Sequence, residues 1–133
     1  MTYQRVTPPY EKRGDWIGVQ LWAKENTPID AMFITPPYLQ GFRIYSERGA
    51  VAEWKDGTQQ YFDTEYSYEW WERINDLGKE DKTYYDNLTR ERLLELCKKY
   101  GASYIVFPVT KKLGLPYLYE NKEYRVYICN AIK

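Results

Sequence analysis

Two adjacent prolines, Pro36-Pro37, follow the short apolar run Ala31-Met32-Phe33-Ile34-Thr35 and set the limits on how the surrounding chain can fold. Proline has no amide to give to a β-ladder, so a strand over this run must stop at the pair and the chain must bend away. The run is apolar at nearly every position instead of alternating, which is the pattern of a strand buried on both faces of a sheet.

The segments on either side fit that reading. Upstream, the spacing predicts a helix from Trp16 to about Glu25, with Asp15 as N-cap and Trp16, Val19 and Ala23 on one side. Pro28 pushes Thr27 out of the helical region, so the helix ends at Asn26-Thr27-Pro28. Downstream, residues Gly41 to Arg48 suit a short helix or irregular crossover that Gly49 would stop, and Ala50 to Lys55 reads as a second strand closed by an Asp56-Gly57 turn.

Two clearer helices follow. One runs from about Tyr66 to Leu77, with Trp70, Ile74 and Leu77 on one stripe and Gly78 just past its end. The other starts at the cap Thr89 and carries Leu93, Leu96, Cys97 and Tyr100 on one stripe, with Gly101 as its stop. Lys79 to Lys82 reads as a solvated loop between them. Ser103 to Val109 is a third buried strand, and Tyr117 to Tyr119 with Tyr124 to Cys129 form a hairpin about Asn121-Lys122. The expected fold is α/β: a mostly parallel central sheet with flanking helices and a C-terminal antiparallel β-hairpin, in a single domain over residues 1–133 whose residues 1–14 form an extended arm.

Chemistry is constrained chiefly by what is missing. The 133 residues include no histidine, which excludes Ser-His-Asp and Cys-His nucleophile activation and HExxH metal sites. The eight glycines form neither a phosphate loop nor a GxGxxG turn. Lys plus Arg and Asp plus Glu both total 19, so the totals give no basic footprint for nucleic acid. Cys97 and Cys129 lie far apart without a CxxC, so neither a zinc cluster nor a disulfide framework is indicated, and either could simply be a small buried hydrophobe. Asp56, Asp63 and Glu65 lack the alternation of a calcium loop, Glu69 and Glu72 fall on a solvated helix face, and the sequon Asn87-Leu88-Thr89 is better explained by the helix cap. No catalytic residue, metal or cofactor is expected. The aromatic content of 18%, dominated by 15 tyrosines, fits ring-filled strands and half-buried faces, with Trp70 in the core and Trp71 partly exposed.

Ligands of open α/β sheets gather beyond the carboxyl ends of strands, which places the candidate ligand site after the first strand: Thr35, Tyr38, Arg43, Ser46 and Arg48. Two arginines and two hydroxyls could hold a phosphate or carboxylate through charge-assisted hydrogen bonds. The competing reading has Arg43 and Arg48 paired with Glu47, Glu53 or backbone carbonyls, bracing the crossover.

A resemblance adds context. Trp22, Asn26-Thr27-Pro28, Asp30-Ala31, the buried strand, and then Phe42-Arg43, Ser46 and Arg48 resemble a region of the extracytoplasmic domains of the GT-C glycosyltransferase superfamily, oligosaccharyltransferase catalytic subunits included. The later KKYGASYIVF and YENKEYRVYIC stretches are similar to the ends of such domains. Oligosaccharyltransferases carry a WWDYG-type motif after the first strand to recognise the acceptor peptide. Here Thr35-Pro36-Pro37-Tyr38 stands there, and Trp70-Trp71 runs into Glu72-Arg73, so that role does not carry over.

The resemblance implies a non-catalytic soluble domain of a larger prokaryotic membrane protein. Such a domain would be attached on the extracytoplasmic side, partnered by the transmembrane portion of the same protein, and involved in recognising a substrate or partner such as a glycan. Residues 1–14 would then be the lead-in of an excised domain, although a native N-terminal arm reads the same way. No run reaches the roughly 18 apolar residues of a spanning helix, and the start lacks the apolar core of a secretory signal. Two alternatives stand beside this one: a stand-alone small α/β protein binding an anionic metabolite or sugar phosphate, and a protein-interaction module.

Overall fold

The computed structural model describes residues 10–54 and 64–129. A five-stranded mixed sheet has the order β2-β1-β3-β5-β4, with β1 at Met32–Ile34, β2 at Gly49–Ala50, β3 at Tyr104–Pro108, β4 at Tyr117–Glu120 and β5 at Tyr124–Ile128. The pairs β1–β2 and β1–β3 are parallel, while β3–β5 and β4–β5 are antiparallel. The α/β class and the terminal hairpin are as expected. The sheet is only partly parallel, because β5 lies directly beside β3 along its whole length and brings β4 with it.

Helices cover both faces. Along the strands, alternate side chains go to opposite layers: Phe33, Val106 and Val126 pack with Val19, Trp22 and Ala23 of α1 (Asp15–Asn26) and Phe42 of α2 (Phe42–Ser46). Ile34, Ile105, Phe107 and Tyr127 pack on the other side with Trp70, Ile74 and Leu77 of α3 (Thr64–Leu77), Tyr85 of α4 (Lys82–Asp86) and Leu93 and Leu96 of α5 (Arg90–Tyr100). The central strands are thus buried on both faces, which explains their unbroken apolar runs. Trp70 lies in this core while Trp71 is 47% exposed.

Several boundaries differ from the sequence reading for local reasons. The N-cap of α1 is Gly14 at φ 109°, without a side-chain cap, so Asp15 stands in the first turn instead. Residues Tyr10–Arg13 form a 3-10 turn that buries Tyr10, where an extended arm was expected. Helix α2 is stopped by Glu47, held in the left-handed region at φ 56° with its N–H on Arg43 O, leaving Gly49 free to start β2. Strand β2 is shorter than expected because the chain turns inward after Ala50. Arg43 Nη2 and Arg73 Nη1 then donate to the carbonyls of Ala50 and Val51 at 2.9 and 3.2 Å, occupying acceptors that another strand could have used.

Helix α4 replaces part of the expected loop, since Asp81 accepts from the amides of Thr83 and Tyr84 and starts a helix too short to show a period. Thr89 caps α5 as expected, accepting from Arg92 N. The expected Asp56-Gly57 turn, Lys55, residues 1–9 and the side chains of Asp63 and Glu65 lie outside the described residues.

The two cysteines are joined. Cys97 on α5 and Cys129 just after β5 form a disulfide with a Cα–Cα distance of 6.4 Å, which corrects the reading of two separate buried thiols. Spacing along the chain carried no sign of it, because the pair meets only once α5 lies against the sheet.

Asp76 fastens α3 to α5. It accepts from Lys99 Nζ at 2.8 Å, Tyr100 Oη at 2.6 Å and Arg92 Nη2 at 3.3 Å. Burial alone would raise its pKa, but the hydrogen bonds from Lys99 and Tyr100 outweigh that and hold it below the ordinary carboxylate value. A depressed folded-state pKa contributes stability above the unfolded value near 4, and the contribution is lost as pH falls through the folded value. Asp76→Asn is therefore expected to be less stable than wild type at pH 7 and to lose less stability between about pH 4 and pH 2. Urea midpoints across that range check it, and parallel curves for the two proteins would reject it.

Candidate functional site

The connections leaving β1 and β3 run in opposite directions. From β1 the chain crosses through α2 on one face to β2, and from β2 it returns through α3, α4 and α5 on the other face to β3, which sits on the far side of β1. The gap beyond the carboxyl ends of these two parallel neighbours is the topological switch point, where an open sheet leaves a crevice uncovered by its own crossovers. A cleft of about 470 Å³ lies there, walled by Tyr38 and Leu39 after β1, Val109 and Thr110 after β3, Lys82 of α4 and residues 122–124 of the hairpin.

Each wall has a local cause. After the two prolines, Leu39 N bonds Pro36 O in a turn that presents Tyr38. The hairpin bend is built by Asn121, whose Oδ1 accepts from the amides of Glu123 and Tyr124 at 3.0 and 2.9 Å. Tyr38 Oη donates to Asp86 Oδ1 at 3.1 Å, and Lys82 Nζ donates to Asp86 Oδ2 at 2.7 Å while lying 5.6 Å from the centre of the Tyr38 ring.

Burial, reinforced by Asp86, raises the Tyr38 pKa; burial, reinforced by Glu123, pushes Tyr124 up to about 12. Both phenols are therefore neutral donors throughout the physiological range. With Lys82 set against Asp86, and Lys122 beside Glu123 on the rim, the crevice offers hydrogen bonds and no large net charge. That chemistry suits recognition of a ligand better than abstraction of a proton.

Of the five residues expected to form a site, Tyr38 reaches this crevice. Thr35 is fully buried, its hydroxyl without a hydrogen-bond partner among the described residues. Arg48 sits at the carboxyl end of α1, where Nη2 donates to Lys24 O and Thr27 O at 2.7 and 2.8 Å and Nε donates to Thr27 Oγ1 at 3.1 Å. It satisfies carbonyls that the helix leaves unpaired and places a positive charge at the negative end of the dipole. Ser46 Oγ donates to Phe42 O at 2.7 Å and accepts from Arg48 N at 3.0 Å. Arg43 bonds Ala50 O and lies 3.9 Å from the buried Glu53. In this geometry Arg43, Ser46 and Arg48 brace the crossover.

The sequence reading did not find Asp86, Lys82 or Tyr124 as partners of Tyr38. They come from two distant segments, α4 and β5, and only the strand order brings these beside the turn after β1. Among the described residues, no group of three or more His, Cys, Asp or Glu side chains is arranged to hold a metal ion, and no helix is long and apolar enough to cross a membrane.

Residues 14–77, from the start of α1 to the end of α3, match the profile of a domain of unknown function, DUF6798. The matched part contains β1, β2 and the Tyr38 wall of the crevice, and leaves out β3 and the hairpin that complete it. No curated protein and no solved structure matches the chain.

Proposed function

We propose that this chain is a non-catalytic extracytoplasmic domain of a larger, glycosyltransferase-like prokaryotic membrane protein, and that its switch-point crevice recognises a substrate or partner beside the membrane. The observation that carries the placement is the Cys97–Cys129 disulfide. Such bonds persist in oxidising compartments and are rare where thioredoxin and glutathione keep thiols reduced. The order of helix, buried strand, crossover and terminal hairpin supports the resemblance in layout. The hydrogen-bonding, nearly charge-balanced crevice supports recognition, and the engagement of Arg43 and Arg48 with carbonyl groups weighs against the anionic-metabolite alternative.

The test is made on the protein in its own cells, tagged, quenched in acid and alkylated before and after reduction, followed by peptide mass spectrometry and membrane fractionation. The expected result is that Cys97 and Cys129 resist alkylation until reduced and that the protein sediments with membranes. Alkylation of both thiols before reduction, or recovery in the soluble fraction, overturns the placement.

A further inference from the structure

Around the turn from α3 to α4, a second cleft of about 520 Å³, which shares no lining residue with the crevice, is lined by Trp54, Asn75, Lys79, Glu80, Asp81 and Tyr84. We propose that it binds a neutral carbohydrate, with a sugar ring laid against the aromatic side chains and its hydroxyls on the carboxylates and amide. This inference is independent of the crevice and of the membrane placement.

The aromatic wall, an exposed Tyr84 and a half-buried Trp54, is held in place. Tyr84 is 47% exposed, yet its ring lies so close over Gly78 that a Cβ there would meet Tyr84 Cδ1 at 2.5 Å. Gly78, at φ 101°, closes α3 by giving its N–H to Ile74 O, and Asp81 accepts from Tyr84 N, so both the backbone beneath the ring and the backbone that carries it are fixed. Trp54 is backed by Trp70, with ring centres 5.6 Å apart, and Trp70 Nε1 is tied to Glu53 O. A ring already immobilised loses little conformational entropy when a ligand stacks on it.

The polar groups narrow the class of ligand. A wholly apolar guest would strip water from three charged side chains and an amide without replacing their hydrogen bonds, at a cost that ring contact does not recover. An anion would meet Glu80 and Asp81, while the cation on this rim, Lys79 Nζ, already lies 4.9 Å from the centre of the Trp71 ring. A pyranose has both faces of the required chemistry, an apolar C–H surface for the rings and equatorial hydroxyls that donate to carboxylates and accept from an amide or ammonium.

The experiment is a calorimetric and tryptophan-fluorescence titration of the full chain with soluble tetrasaccharides of glucose, mannose, galactose and N-acetylglucosamine, with tetramethylammonium as a separate probe. At least one tetrasaccharide is expected to bind with a Kd of about 1 mM or tighter, and Glu80→Gln and Tyr84→Ala should each weaken it about tenfold, while Tyr117→Ala on β4 leaves it unchanged. Glu80 is exposed, so its variant keeps the test open if Tyr84→Ala fails to fold. Absence of binding across the tetrasaccharides up to about 10 mM, binding indifferent to Glu80→Gln, or binding of tetramethylammonium alone overturns the proposal.

Discussion

Replacing Cys97 and Cys129 together by alanine is expected to lower the stability of the folded chain by about 4 kcal/mol, and its Tm by roughly 15 °C. The bond joins positions 32 apart, and in the chain-entropy account the cost of closing a loop of that size is removed from the unfolded state in advance. The loop holds β3 and the hairpin, so the constraint acts on the antiparallel pairings of β3 with β5 and of β4 with β5. Both residues are buried, Cys97 at 5% and Cys129 at 6% exposure, so alanine also leaves a small void against α5. Comparing oxidised wild type, reduced and alkylated wild type, and the double variant separates these contributions by thermal unfolding. A double variant melting within about 3 °C of the oxidised protein would reject the assignment of a stabilising covalent tie.

How much of this could be read from the sequence depended on whether the signal was local. The apolar run ending at Pro36-Pro37, the Thr89 cap with its Leu93-Leu96 stripe and the Asn121-Lys122 hairpin each carry their cause within a dozen residues, and each stands in the structure close to where it was placed. The position of Asp15 was missed by one residue because Gly14, with its positive φ, takes the cap without a side chain. Helix α4 is one turn held by Asp81, too short for periodicity to reveal. The disulfide and the crevice depend on strand order, which a single sequence does not display: nothing near Tyr38 announces Asp86, and nothing near Cys97 announces Cys129. Arg48 illustrates the opposite case. The residue was located, but only the geometry reveals that its donors close the end of α1.

Glu53→Ala is expected to cost about 3 kcal/mol, more than its place after a two-residue edge strand would suggest. The residue is 3% exposed, and its two carboxylate oxygens accept from the amides of Gly41 and Phe42 at 3.1 and 2.9 Å, with Arg43 Nη1 at 3.9 Å. Gly41, the N-cap of α2, has no side chain with which to satisfy those amides, so a glutamate from across the crossover performs the capping. Alanine leaves two largely buried N–H groups without an acceptor and removes the carboxylate facing Arg43. Glu53→Gln keeps the volume but turns an NH₂ toward one of the two amides, so it should lose most of the same stability, whereas a cavity effect would leave it near wild type. Urea unfolding of both variants, with hydrogen exchange at the Phe42 amide, distinguishes the two causes, and a loss below about 1 kcal/mol for Glu53→Ala would refute the capping role. The loop that Glu53 anchors at its far end is the one that carries Tyr38, and Trp54 N, one residue on, bonds Pro37 O. The carboxylate that closes a short helix therefore also helps fix the wall of the switch-point crevice, so loosening it should reach the proposed recognition site without touching a residue that lines it.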